Sequence, residues 1–421
     1  MTGSAYPEYQ RAPDAWMGDV PAHWGLERMK YGLTEKTTKK GSDLPPGAIS
    51  YGKVVAKDAE KITPETRATY QEVLAGEYLI NPINLNYDLI SLRTALSDIN
   101  VCVSPAYIVL RAVPEKVHPV FGSYVLHVFD VCHMKTLGAG VRQTITFKDI
   151  GQCVWPLPPM EEQAAIVAFL DSETGRIDGL IEKKTRFIAL LKEKRAAVIT
   201  HAVTKGIDPN APMKEGPFKA VGMVPETWDI SPIGRALRLR KNTVGSRHGD
   251  YRLLSLTTRG VIERDISENF GKFPESFDTY QEVRPGDFVF CLFDIDETPR
   301  TVGLSDLHGM ITGAYSVFDC LAPIYSKYLY FLFLHLDMCK GLKPFYTGLR
   351  KTIRPPKFTS IRIPFPPEDD ARRIVEHIET QTAKIDGLIA LTERSIDLLR
   401  EKRAALITAA VTGKIDVRRA A

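Results

Sequence analysis

The sequence predicts an α/β (α+β) protein written twice. Two globular mixed α/β domains are separated by two long helices forming an antiparallel coiled coil, with an internal pseudo-twofold repeat. Two observations carry this expectation. First, RIDGLIEKKTRFIALLKEKRAAVITHAVTKGID at 176–208 returns as KIDGLIALTERSIDLLREKRAALITAAVTGKID at 384–416, agreeing at 21 of 33 positions, where chance gives roughly 2. Second, both stretches place apolar residues at helical spacing, while the segments before them carry short β-rich runs bounded by turn residues.

The repeat extends upstream. WPLPP (155–159) corresponds to IPFPP (363–367), GVRQTI (140–145) to GLRKTI (348–353), and LSDINVCVSPAYIVL (96–110) to LSDLHGMITGAYSVF (304–318), all offset by 208 residues. YQEVLAGEYLI (70–80) matches YQEVRPGDFVF (280–290) at 210, and GDVPAHW (18–24) matches GMVPETW (222–228) at 204. The drift is that of small loop insertions between two copies of one fold. The expected organisation is a first globular domain at 1–157, a helix at 158–210, a second globular domain at 211–365 and a last helix at 366–421. The helices agree strongly and the globular parts weakly, which fits one shared frame holding two differently tuned readers.

Within each globular part, GEYLI and GDFVF read as a turn followed by a buried strand, and AYIVLRAV and AYSVFDCL as further strands. SKYLYFLFLHLDM (326–338) reads as a short helix, because Tyr328, Leu332 and Leu336 recur at four-residue spacing. The long helices start after Pro158-Pro159, with Glu161 and Glu162 where a helix N-terminus favours negative charge. Their apolar stripes run through Ile166, Phe169, Ile177, Leu180, Leu191 and Val198, and through Ile374, Ile378, Ile385, Leu388, Leu399 and Leu406. Gly206 and Gly413 are the expected stops, and Gly175, Gly179 and Gly387 predict a local kink or break. A helix of about 45 residues is about 65 Å long, too long for a small domain, so two such stripes pair with each other.

Bulk properties narrow the function classes. With 421 residues, 44% hydrophobic and 25% charged, the chain has the composition of a soluble globular protein of two or three domains. MTGSAYPEYQRAPDAWMGDV lacks the pattern of a secretory leader, and the longest apolar run, Tyr328 to Leu336, is about half a bilayer span. Six scattered cysteines without CxxC spacing predict free thiols and a cytoplasmic location. A net charge of +4 permits a polyanionic partner without demanding one.

Cations in glycine-containing loops are the candidates for such a partner, since phosphates need counterions replaced and Arg can read guanine bidentately. KTLGAGVRQT (135–144) and KPFYTGLRKT (343–352) stand at matching positions, giving Lys135, Arg142, Lys343, Arg350 and Lys351 as candidate DNA contacts, with Tyr346 adding a ring or hydroxyl. Arg93 in LISLRTALS and Arg300 in DETPRTVGLS form a second pair. The plain alternative for each is a solvated surface side chain, as it is for the basic helix faces. Catalytic motifs are missing: no GxGxxG follows a strand, and there is no GxxxxGK[ST]. NPIN (81–84) reads as a turn. Asp294, Asp296 and Glu297 in DIDE could bind a nuclease metal, but the first copy keeps only Asp88 there. The nine histidines show no HxxxH or HExxH pairing.

The whole layout, PLPPMEEQAAIVAFLD leading into a helix that ends KRAAVITHAVTKGID, and the VPAHW and VPETW openings resemble the specificity subunit of Type I restriction–modification systems, over essentially the whole chain. The resemblance implies two target recognition domains, each reading one half of a split DNA sequence, and two conserved helical spacers. It implies no catalytic activity and no cofactor on this chain. Two methyltransferase subunits bringing S-adenosylmethionine would dock on it, with motor-nuclease subunits joining for cleavage. A rod of about 65 Å would hold two readers one to two turns of duplex apart. One departure stands out: EEQ (161–163) becomes DDA (369–371), which puts the second helix start in question. The competing classes are a metal-dependent nuclease and a coiled-coil adaptor without DNA specificity.

Overall fold

The computed structural model describes residues 5–37, 44–58, 62–83, 92–137, 144–264, 277–349 and 351–419. Four of the helices among them exceed ten residues: α1 (Pro119–Cys132), α2 (Met160–Lys205), α3 (Ser326–Met338) and α4 (Glu368–Val411). The chain divides into two compact units, residues 1–184 with 394–421, and residues 185–393. Each unit therefore takes one globular domain and a part of each long helix.

Among the strands of the first unit are β1 (Leu33–Glu35), β2 (Gly47–Ser50), β3 (Lys53–Ala56), β4 (Tyr78–Ile80), β5 (Thr94–Leu96) and β6 (Ile108–Ala112). Four of them form an antiparallel sheet in the order β1-β6-β4-β5, with Ile108 opposite Ile80 and Tyr78 opposite Leu96. The β2–β3 hairpin stands apart as its own pair. The turn before β4 is made by Gly76, whose φ of 90° suits glycine. Next to it, buried Glu77 accepts from Arg111 Nε at 2.6 Å, Lys36 Nζ at 3.1 Å and the Leu74 amide at 2.9 Å. Burial pushes the Glu77 pKa up, but these donors outweigh it and leave the carboxyl below its ordinary value. Helix α1 buries Phe121, Val125 and Phe129 in a core shared with Tyr78, Trp24 and Trp155.

The second unit repeats the plan with β7 (Leu237–Arg240), β8 (Leu254–Thr257), β9 (Gly260–Glu263), β10 (Phe288–Phe290), β11 (Val302–Leu304) and β12 (Ser316–Cys320). Its sheet order is β7-β12-β10-β11, and β8–β9 is again a separate hairpin. Gly286 turns the chain at φ 91°. Phe290 meets Phe333 of α3 at 4.9 Å and Phe358 at 4.7 Å between ring centroids, an aromatic core.

Both long helices run unbroken through Gly175, Gly179 and Gly387, so the expected break is absent. Apolar neighbours such as Ile177 and Ile385 stay buried and hold the helices through those positions. Both helices stop in positive-φ glycines, Gly206 at 73° and Gly413 at 71°. At the second stop the Lys414 amide donates to the Ala409 carbonyl and the Gly413 amide to that of Ala410, the pattern of a Schellman cap. The two glycines seat on the two VPxxW motifs. Gly206 lies against Pro225 and Trp228, and a side chain at 413 would collide with the Pro21 ring.

The helix starts explain the EEQ-to-DDA departure. Gln163 is fully buried, donates from Nε2 to the Pro158 and Lys116 carbonyls, and accepts the His118 amide at Oε1. In the second copy the glutamine is Ala371, and the Tyr325 hydroxyl donates instead to the Pro366 carbonyl at 2.9 Å. The second helix start is thus held by a different residue.

Each unit pairs a stretch of α2 with a stretch of α4. In the first, Glu162 near the start of α2 faces Arg418 beyond the end of α4, and farther along Asp178 meets Arg403 at 3.0 Å. The two helices run antiparallel there. In the second, Arg195 meets Asp386 at 2.9 Å, and the Tyr328 hydroxyl donates to the carbonyls of Val203 and Pro364. Among the described residues no helix is long and apolar enough to cross a membrane, and the six cysteines are free.

Candidate nucleic-acid interface

In the second unit the basic loop at 343–352 hangs between two core anchors. Leu342 and Ile353 are 3% and 1% exposed, and the Ile353 amide donates to the Leu292 carbonyl at 2.8 Å. Phe345 packs edge-on against Phe218 at 5.1 Å. The loop then narrows to a tip, closed by paired hydrogen bonds between Thr347 and Thr352, with Gly348 at φ 74° and Lys351 at φ 45°. Leu349 stands at that tip fully in solvent.

The cations beside the tip are not loose. Lys343 and Lys351 reach Asp296 at 3.7 and 3.5 Å, Lys351 reaches Glu297 at 3.2 Å, and the Tyr346 hydroxyl donates to Asp296 at 3.1 Å. Desolvation tends to raise the Asp296 pKa, but Tyr346 and the two lysines prevail and hold it below the ordinary carboxylate range. Glu297, and after it Asp296, raises the Lys351 pKa. Lys343, Tyr346 and Lys351 are therefore brought together around two carboxylates. The same geometry accounts for the acidic DIDE loop. Asp296 and Glu297 face lysines, and no group of three or more His, Cys, Asp or Glu able to hold a metal ion occurs among the described residues.

In the first unit Lys135 lies half-buried on a turn after α1, close enough for its charge to oppose the burial that raises the Asp130 pKa. Arg142 and Arg350 lie outside the described residues.

Arg93 and Arg300 are both largely covered. Arg93 is 5% exposed; its amide donates to Asp130 Oδ2 at 2.5 Å, and its Nη1 donates to the Ile83 carbonyl at 2.6 Å. The Nη1 end of its guanidinium is thus engaged within the unit. Arg300 is mostly covered, with Nη1 at 3.6 Å from Asp337 and Nη2 donating to the Thr258 carbonyl at 3.0 Å. Asp337 also takes the Thr301 hydroxyl at 2.9 Å. Asp130 on α1 and Asp337 on α3 are equivalent positions, so each unit ties a helix to a strand edge through an acid and an Arg-Thr pair. Burial raises the Asp130 pKa against the pull of the Arg93 amide and charge.

Sequence reasoning missed Leu349 and the tips of the two separate hairpins. Tyr51 is 86% exposed at the β2–β3 turn, and Arg259 is exposed at the β8–β9 turn. The available signal was a turn dipeptide, Tyr51-Gly52, within a β-rich run.

No protein-family profile matches the chain. A curated Methanocaldococcus jannaschii protein, assigned as the type I restriction enzyme MjaX specificity subunit, is 22% identical over 433 residues, covering 96% of each chain. Among solved structures, the HsdS subunit of Thermoanaerobacter tengcongensis superposes with a TM-score of 0.50 at 16% identity, over 94% of this chain and 98% of that one. The chain has the fold of a type I specificity subunit. A second structure, solved in work on complex assembly and conformational transition of the type I R-M system, gives a TM-score of 0.62 at 15% identity, over 93% and 98%. The resemblance read from the repeated motifs thus extends to sequence and fold over nearly the full chain.

Proposed function

We propose that this chain is the non-catalytic, sequence-reading subunit of a type I restriction–modification complex. Each recognition unit binds one half of a bipartite, asymmetric DNA target, and the asymmetry follows from the divergence of the two globular parts. The observation that carries the reading is the complete fold occurring twice in one chain, while the relatives that it matches end to end are specificity subunits. The basic loop with Lys343, Tyr346, Lys351 and the bare Leu349 supports a DNA role. Lysines replace counterions on the phosphates, and an exposed leucine between them suits a groove or base-step contact.

The helices offer the docking surface for two methyltransferase subunits, which carry S-adenosylmethionine, and motor-nuclease subunits join for cleavage in the cytoplasm. Phe187, Leu190, Leu388 and Leu391 in the second unit and Leu398 in the first are 46 to 68% exposed on otherwise charged helices, which favours a protein partner along them. The test is co-expression with the methyltransferase subunits encoded nearby, followed by mapping of methylated adenines. A two-part motif with a fixed gap supports the reading, and exchange of residues 222–365 should change one half alone. Absence of both a motif and a stable complex returns the chain to the adaptor class.

A further inference from the structure

Each unit carries a two-residue hairpin at the same place in its fold. Strands β2 and β3 turn at Tyr51-Gly52, with Ser50 opposite Lys53; β8 and β9 turn at Thr258-Arg259, with Thr257 opposite Gly260. Tyr51 has a φ of 48° and is 86% exposed. A left-handed tyrosine is strained, and asparagine or glycine is the residue such a turn prefers. Packing within the chain does not reward the choice, since the ring projects into solvent. Strand alternation puts Lys53 and Val55 on one face of β3, opposite buried Val54, and Lys57 is exposed just past the strand end. Among the described residues neither lysine has an ion pair. The Tyr51 ring, with Val55 and two lysines that have no ion pair among the described residues, forms a surface suited to stacked bases beside phosphates.

The other hairpin offers Arg259, exposed and without an acid partner among the described residues, ahead of Gly260 at φ 104°. Arg is the side chain that reads guanine edges bidentately. Both turns are supported from behind by the same segment of their units. A side chain on Gly52 would come within 2.7 Å of Leu92, the neighbour of the Asp130-bound Arg93, and Arg300 holds the Thr258 carbonyl while facing Asp337. The supporting segment is common to both units and the tips differ, a combination suited to a specificity element.

We infer that these hairpins are DNA-probing elements. The Tyr51 ring packs on a base or sugar of the half-site read by the first unit, and Arg259 donates to a base edge of the other half. This rests on the DNA-reading function proposed above. The experiment uses the full chain with its co-encoded methyltransferase subunits and maps methylated sites for wild type, Tyr51→Ala, Tyr51→Phe, Tyr51→Gly and Arg259→Ala. The expected result is that Tyr51→Ala degenerates one half of the motif, or lowers occupancy at full sites at least tenfold, while the other half stays sharp. Tyr51→Phe keeps the motif. Tyr51→Gly behaves as Tyr51→Ala although it relaxes the turn, which a purely structural tyrosine would not do. Arg259→Ala relaxes the opposite half. Wild-type motif and occupancy in Tyr51→Ala and Tyr51→Gly would overturn the inference, as would equal loss of both halves. A wild-type complex that yields no bipartite motif would instead bring down the DNA-reading function itself.

Discussion

Arg195 meets Asp386 at 2.9 Å, and the same pair recurs with the copies exchanged, as Arg403 with Asp178 at 3.0 Å. In each case an arginine of one repeat holds an aspartate of the other. The exchange is why the sequence can repeat its helices closely while the globular parts diverge: each helix copy must fit the other. All four side chains are 35 to 54% exposed, so each pair contributes only about 0.2–1 kcal/mol and acts on register more than on stability. Arg195→Asp should lower the thermal midpoint slightly at low salt, and the exchanged pair Arg195→Asp with Asp386→Arg should restore it. Differential scanning calorimetry checks this; an unrestored double variant would show that the pair does not set register.

The two helix starts make an asymmetric prediction. Gln163→Ala strips partners from the His118 amide and the Lys116 and Pro158 carbonyls, at a cost of roughly 2–3 kcal/mol. Tyr325→Phe removes a single bond to the Pro366 carbonyl and should cost about 1 kcal/mol. Urea midpoints of the two variants measure the difference. Equal midpoints would mean that Gln163 is not the principal clamp.

Legibility in the sequence tracked the range of the interactions. Helix ends were readable because Pro158, Pro159, Gly206 and Gly413 act locally, and α3 because Tyr328, Leu332 and Leu336 are neighbours on one turn-spaced face. The burial of Arg93 was not readable, because Asp130 sits on another element, α1, and no local pattern announces that a strand-edge arginine will be buried. A signal did exist, since Asp130 and Asp337 are separated by 207 residues, as are Arg93 and Arg300. The Tyr51-Gly52 pair marks a turn but does not by itself mark the ring as exposed. Its exposure follows from the hairpin standing outside the main sheet.

Acid should weaken the second unit through Glu282. This carboxylate takes Arg284 at 2.9 Å, His308 at 3.2 Å and Asn242 at 3.4 Å, and its pKa falls from 4.5 to about 2, with Arg284 as the largest cause. A folded-state pKa below the unfolded one gives stability that is complete above pH 4.5 and fades as pH falls toward about 2. Glu282→Gln lacks this contribution. The gap in urea midpoint between wild type and Glu282→Gln should therefore be largest near neutrality and shrink on acidification toward pH 3 and below. A gap that stays constant with pH would assign the loss to packing.

The carboxylates of the 294–297 loop make the DNA face testable by salt. In the free chain Asp296 and Glu297 occupy the lysines that the proposed function assigns to phosphates, so binding must exchange carboxylate for phosphate at Lys343 and Lys351. Replacing both lysines with alanine should weaken binding to specific and random duplexes alike and reduce the slope of log affinity against log salt by about 2, roughly 0.9 for each lost phosphate contact. Asp296→Asn acts in the opposite direction, because it removes a competitor held at 3.5 Å from Lys351, and should raise affinity several-fold at low salt with little change in sequence preference. Fluorescence anisotropy across a salt series, with the assembled complex, reads both effects. A double-lysine variant with an unchanged slope would take this loop off the phosphate backbone. Weaker binding in Asp296→Asn would mean that the carboxylate's main service is to hold the loop in shape, and that its competition with phosphate is the smaller effect.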